Sequence, residues 1–181
     1  MASEVVSSKK QTEIGSLAKY SFPPIVTAEA RILILGTLPG EKSLQLQQYY
    51  GHPQNHFWRL LAAIFNEPPP ADYAERVNLL KRNHCALWDV LESAERVGSS
   101  DAAIRNPTAN PFAKFFSDYP GIKTIAFNGQ KARALFRRYV VKSGHVSEQD
   151  FMMIDLPSSS PLYTKSLEEK LAVWKAKLTG I

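Results

Sequence analysis

Four short apolar runs, each stopped by a turn signal and separated by stretches of helical spacing, constrain this chain more than any other feature. The first is Arg31-Ile-Leu-Ile-Leu35, ended by Gly36-Thr37-Leu38-Pro39-Gly40. The second is Cys85–Leu91, and the third is Ile122–Phe127, closed by Asn128-Gly129. The fourth, Phe151–Leu156, breaks at Pro157-Ser158-Ser159-Ser160-Pro161. Such runs read as strands buried on both faces, because a half-exposed strand would alternate apolar and polar residues. Around them, Phe57, Leu60, Leu61 and Ile64 predict a helix over Asn55–Phe65 with Asn55 as N-cap. Tyr73, Val77 and Leu80 predict a second helix, Pro111–Phe116 starts a third, and Ala132, Leu135, Phe136 and Tyr139 mark a fourth. Leu167, Leu171, Trp174 and Leu178 make the last helix amphipathic. Strands alternating with helices predict an α/β fold, a three-layer α/β/α sandwich around a central four-stranded parallel sheet. Residues 1–16, without apolar periodicity, are expected to form a flexible tail, residues 17–181 a single domain, and Gly98–Asn110 a loop-rich stretch.

Composition narrows the function classes. Of the 181 residues, 44% are hydrophobic and 22% charged, which excludes collagen-like, mucin-like and mostly disordered chains. The apolar runs are too short to cross a bilayer, and the polar N-terminus has no secretory apolar core. A cytoplasmic protein without a membrane partner is expected, nucleoid-associated if prokaryotic. Cys85, the single cysteine, excludes an internal disulfide and an all-cysteine iron–sulfur cluster. A net charge of +5 is compatible with a polyanionic partner.

In parallel sheets ligands bind at the carboxyl ends of the strands, so the turns after the first, third and fourth runs should share one edge. The turn Gly36–Gly40 offers backbone N–H groups and close approach, but lacks the Gly-Lys-Ser/Thr ending of a phosphate-binding loop. Tyr49 to Arg59 supplies stacking faces, amides and cations. His52 and His56 have no third ligand at suitable spacing, so no metal is expected. In Leu156–Tyr163, serines and amides are placed to grip phosphates, and Leu162 or Tyr163 to wedge into a base stack. Taken alone, that segment is also an ordinary strand-to-helix loop. No nucleophilic triad is visible. Trp88 and Asp89, near the end of the second run, either line the pocket or pack in the core.

Taken together and in order, these motifs resemble the uracil-DNA glycosylase superfamily. Residues 36–40 resemble its strand-end Gly-x-x-Pro-Gly motif, and His52-Pro53-Gln54-Asn55-His56-Phe57-Trp58 the His-Pro-x-Asn-x-Phe-Trp run of its mismatch-specific uracil/thymine branch. Asn128-Gly129 and Pro157–Ser160 resemble that branch's third-strand Phe-Asn-Gly and its Pro-Ser-Ser-Ser loop. Gly-Thr-Leu-Pro-Gly with Tyr-Tyr-Gly-His-Pro-Gln-Asn is most similar to the hypoxanthine-DNA glycosylases. The resemblance implies a monofunctional enzyme that flips a deaminated base, most of all hypoxanthine, and hydrolyses its N-glycosidic bond in DNA. No cofactor or metal is implied, a monomer is expected, and no motif marks a Schiff-base lysine.

One departure matters. The first motif carries Leu38 where the mismatch-specific branch has Asn, so no amide or carboxylate of residues 36–40 positions water. Asn55 is the nearest replacement, with Glu41 second and His52 and His56 as rivals. The resemblance implies a base pocket of Gly36, Thr37, Leu38, Pro39, Gly40, Tyr50 and Asn128, with Tyr50 stacking on the base. Asn128 either meets the base edge or ties the loops together. Pro157, Ser158, Ser159, Ser160, Leu162 and Tyr163 would contact DNA. Uracil or xanthine as the target base, a non-catalytic sensor of damaged bases, and an unrelated enzyme of free nucleosides are the alternatives.

Overall fold

The computed structural model describes residues 18–178; the N-terminal tail expected over 1–16 lies outside them. In chain order the elements are β1 (Ala18–Tyr20), β2 (Ile32–Gly36), α1 (Glu41–Leu46), α2 (Phe57–Ile64) and α3 (Tyr73–Arg82). There follow β3 (Cys85–Asp89), β4 (Leu91–Glu95), β5 (Arg105–Ala109), α4 (Phe112–Asp118), β6 (Thr124–Asn128), α5 (Gln130–Tyr139), β7 (Met152–Leu156) and α6 (Leu167–Leu178). The four apolar runs become one parallel sheet in the order β3-β2-β6-β7. All five residues of β3 and of β6 are buried. Because successive side chains point to opposite faces, an unbroken buried run means that both faces are covered. That is the α/β sandwich the sequence predicts.

Register decides what stands at the sheet's carboxyl edge. Gly36 pairs with Asp89, Leu35 with Phe127, and Asn128 with Leu156. The last row across the sheet is therefore Asp89, Gly36, Asn128, Leu156, with the side-chain-free residue between two polar ones. The layers are held by side chains such as Leu33, Leu60, Leu87 and Phe136, all fully buried. Each contributes about 1.5–3 kcal/mol. Trp174 of α6 packs edge-on to Phe57 of α2 at 6.0 Å, and its indole N–H donates to the Pro157 carbonyl at 2.8 Å. One side chain thus closes the core and anchors the start of a site loop.

Four details correct the sequence reading. The second run is not one strand over Cys85–Leu91: β3 ends at Asp89, and beyond Val90 the chain joins a second, antiparallel sheet, β1-β4-β5. Gly98–Asn110 is not all loop, since Arg105–Ala109 forms the edge strand of that sheet. Its polar sequence and Pro107, tolerated at an edge, hide it from an apolar-pattern search. Helix α1 shows no apolar stripe because Ser43 is its one buried residue. Finally, α2 starts at Phe57 with His56 at the N-cap position, one residue later than an Asn55 cap implies. Asn55 still serves that terminus, its Oδ1 accepting from the Phe57 N–H at 3.0 Å.

Candidate active site

The three turns meet around a cavity of about 640 Å³ at the carboxyl edge of the parallel sheet. Its floor is Asp89, Gly36 and Asn128 of the sheet's last row. A Cβ on Gly36 would sit 2.6 Å from Asp89 Oδ1 and 2.6 Å from Tyr50 Oη, so the floor admits only glycine between them. Tyr50 has φ +51°, an uncommon left-handed conformation, and its ring stacks on Phe57 with centroids 3.9 Å apart. Its hydroxyl is buried and lies near Asn128, with which, as with the other described residues, it makes no hydrogen bond of good geometry. Burial, with the Asp89 charge beside it, pushes the Tyr50 hydroxyl pKa up, so the group stays a protonated donor.

Asp89 is 4% exposed. Its Oδ2 accepts from the Ser21 hydroxyl at 3.0 Å, while Oδ1 accepts nothing from the described residues. Burial pushes the carboxyl up to about 7, against the downward pull of Ser21 and Arg96. Asp89 therefore changes charge within the range where enzymes work. Its position in the sequence is compatible with either pocket or core. The signal was there, in an acid ending the apolar run Ala86-Leu87-Trp88, since buried acids are rare outside sites.

The first loop is braced by residues that follow β4, of which Ser99 and Asp101 also line the cavity and Arg96 does not. Thr37 Oγ1 donates to Asp101 Oδ1 at 2.7 Å. Arg96, its side chain fully buried just after β4, donates to the carbonyls of Leu38 and Pro39 and lies 3.4 Å from Asp101. The Glu41 N–H donates to Ser99 Oγ at 2.9 Å. Arg96, Ser99 and Asp101 went unmarked in the sequence because they belong to the polar second sheet and its connecting loop.

Asn55 and Glu41 both line the cavity but differ in kind. With one lone pair of its Oδ1 on the Phe57 N–H, the Asn55 amide is fixed and keeps a second lone pair. The Glu41 side chain is 58% exposed and paired with Lys19 at 3.4 Å, a solvated ion pair. His52 lines the cavity, with its Nδ1 accepting from the Gln54 N–H, whereas His56 does not line it.

The fourth-strand loop requires a correction. Ser159 is fully buried: its N–H donates to Asn128 Oδ1 and its Oγ accepts from Asn128 Nδ2, both at 2.8 Å, while its carbonyl accepts from the His56 N–H. It is an internal latch and does not face a phosphate. Of the two roles open to Asn128, the structure shows the tie between loops, and one amide N–H remains. Ser158 and Ser160 accept from the N–H groups of Ser160 and Leu162, so their own O–H donors are left over. Leu162 and Tyr163 are 66% and 43% exposed at the rim. Buried Lys170 of α6 holds the Ser160 carbonyl at 3.0 Å. Ser159→Ala is expected to lower unfolding stability by about 1–3 kcal/mol, read in a denaturant melt, because a buried Asn128 N–H loses its acceptor.

Among the described residues, no helix is long and apolar enough to cross a membrane, and no group of three His, Cys, Asp or Glu is placed to hold a metal ion. The sequence profile of the uracil DNA glycosylase superfamily matches residues 23–177. The chain belongs to that superfamily. Its enzyme class is that of the DNA glycosylases, hydrolases of the base–sugar N-glycosidic bond in DNA. Two curated relatives agree, each named hypoxanthine DNA glycosylase. The one from Methanosarcina barkeri is 42% identical over 117 residues, 64% of this chain and 74% of that protein. The one from Methanosarcina acetivorans is 39% identical over the same shares. A solution NMR structure from Methanosarcina acetivorans, described as a candidate uracil DNA glycosylase, superposes with a TM-score of 0.70 at 34% identity. That match covers 88% of this chain and 98% of the other.

Proposed function

We propose that this glycosylase removes hypoxanthine from deoxyinosine in DNA, leaving an abasic site for base excision repair. It works as a monofunctional, single-domain monomer in the cytoplasm (at the nucleoid in a prokaryote), without metal or cofactor. The observation that carries the base assignment is the unpartnered Asp89 Oδ1 on the cavity floor. Deamination of adenine turns ring N1 from an acceptor into an N–H donor and replaces the exocyclic N–H donors with a carbonyl. An ionised Asp89 accepts from that N–H but repels the N1 lone pair of adenine. The leftover Asn128 N–H on the same floor is a donor that suits the new carbonyl. Tyr50, backed by Phe57, gives the flipped base a stacking face worth about 1–3 kcal/mol.

Asn55 holds the attacking water on its free lone pair. An amide suffices because oxocarbenium-like cleavage needs positioning more than strong deprotonation. Leu162 and Tyr163 fill the gap left in the stack, and the free hydroxyl protons of Ser158 and Ser160 meet flanking phosphates. Uracil and xanthine share the lactam N–H and carbonyl, so they are the secondary substrates.

The test is the pH profile. An acid acts as an N–H acceptor in its ionised form, so kcat/KM on a deoxyinosine duplex should rise with pH through about 7, where the Asp89 carboxyl ionises. Asp89→Asn should lose that limb and about tenfold in activity at pH 8, the difference between a charged and a neutral acceptor. A limb that survives in Asp89→Asn would overturn the assignment.

A further inference from the structure

The first loop has a problem that its side chains cannot solve. A departing base carries negative charge onto its ring, and such charge is stabilised by preorganised N–H donors and destabilised by carbonyl oxygens aimed at it. Residues 36–40 include no amide or carboxylate, and Leu38 is 5% exposed, so whatever the loop offers near the base comes from its backbone. The structure shows which way that backbone is turned. Arg96 donates to the carbonyls of both Leu38 and Pro39. Arg96 lies outside the cavity lining, whereas Leu38, Pro39 and Gly40 line it, so the two carbonyls are drawn behind the loop.

No peptide in the described chain is cis. In a trans peptide the C=O and N–H point to opposite sides. With the Pro39 carbonyl on Arg96, the Gly40 N–H of the same peptide is turned away from Arg96, and no acceptor within the described residues takes it. The Leu38 carbonyl shares its peptide with Pro39, which has no N–H. Left free, it would be an acceptor with no compensating donor. Asp101, 3.4 Å from the guanidinium and bonded to Thr37, neutralises Arg96 and fixes the same loop one residue earlier. What Arg96 supplies is therefore orientation of dipoles rather than net charge.

We infer that Arg96 is a positioning residue for leaving-group departure: reaching in from the second sheet, it holds two carbonyls away from the flipped base and leaves the Gly40 N–H to stabilise the charge the base takes with it. The inference rests on the glycosylase reading above and adds to it a residue outside the pocket. It also gives the second sheet a part in the chemistry, because Arg96 and Asp101 both follow from the β4–β5 hairpin.

The experiment compares Arg96→Met and Asp101→Asn with the unaltered chain in single-turnover assays on two duplexes, one carrying hypoxanthine and the other 8-azahypoxanthine. The second base has the same shape, and its extra ring nitrogen makes it a better leaving group. Arg96→Met is expected to cut the rate on hypoxanthine by about 10²-fold, the usual effect of losing one oriented donor. The loss on 8-azahypoxanthine should be several-fold smaller. Affinity for a non-cleavable 2′-fluoro-deoxyinosine duplex should be unchanged.

A merely structural role lowers both rates by one factor, and that result, or a parallel loss of duplex affinity, overturns the inference. If Arg96→Met does not fold, Asp101→Asn decides the matter: the Asp101 side chain is 38% exposed, its amide oxygen still accepts from Thr37, and the same leaving-group difference is expected at smaller size. Unaltered protein that cleaves neither duplex overturns the hypoxanthine reading. Unaltered protein that is active, with equal losses in the variants, overturns only the role of Arg96.

Discussion

Asn55→Ala is expected to lower turnover on a deoxyinosine duplex by about 10²–10³-fold while the duplex is still bound. The size follows from what the amide does. It is held by the Phe57 N–H, lines the cavity, and offers one lone pair to a water that no side chain of the first loop can position. The same substitution removes the acceptor at the start of α2, costing about 1 kcal/mol of stability. A second variant separates the two effects. Asn55→Ser keeps a side-chain acceptor at the helix start but is too short to hold the water, so stability should recover while turnover does not. Turnover retained in Asn55→Ala would move the water to Glu41, the acid at the cavity rim.

Gly36→Ala is expected to damage both fold and activity, because the added methyl has nowhere to go. It would stand 2.6 Å from two buried oxygens, one on Asp89 and one on Tyr50, whose ring is pinned against Phe57. Overpacking of this kind costs roughly 1–3 kcal/mol. Here the displaced groups are also the proposed acceptor and the stacking face, so turnover should fall by more than the loss of folded protein explains. Adding Tyr50→Phe to Gly36→Ala removes one of the clashing oxygens and should restore part of the stability in a urea melt. A Gly36→Ala protein as stable and active as the unaltered chain would mean that the floor is looser than these contacts require.

Much of this architecture was legible because its strands are buried on both faces. Ile32-Leu33-Ile34-Leu35 and Ile125-Ala126-Phe127 announce themselves as apolar runs, and the turns behind them mark the edge where the cavity forms. The second sheet was not legible. Arg105-Asn106-Pro107-Thr108-Ala109 has no buried residue, so its strand is set by pairing with β4 and not by any pattern of its own. The residues hidden with it, Arg96 and Asp101, are those that brace the first loop. Asn55 could be singled out from its motif, and the helix-start role expected of it is the bond from the Phe57 N–H that fixes its amide. Ser159 illustrates the opposite failure. A hydroxyl in a serine-rich loop suggests a phosphate ligand, yet burial and two bonds to Asn128 make it part of the scaffold. Residue type alone does not distinguish a serine that faces DNA from one that faces the core; only the packing of α6 and β6 around it does.

The most direct test of the central claim is a competition assay. Matched duplexes carrying one deoxyinosine, one uracil, one xanthine or only normal bases are incubated with the protein and then cleaved with alkali at abasic sites. Cleavage at deoxyinosine first, at uracil and xanthine more slowly, and not at deoxyadenosine is the predicted result. Duplexes bound but uncut at all three damaged bases would contradict the account and make the protein a sensor of the lesion instead of the enzyme that removes it.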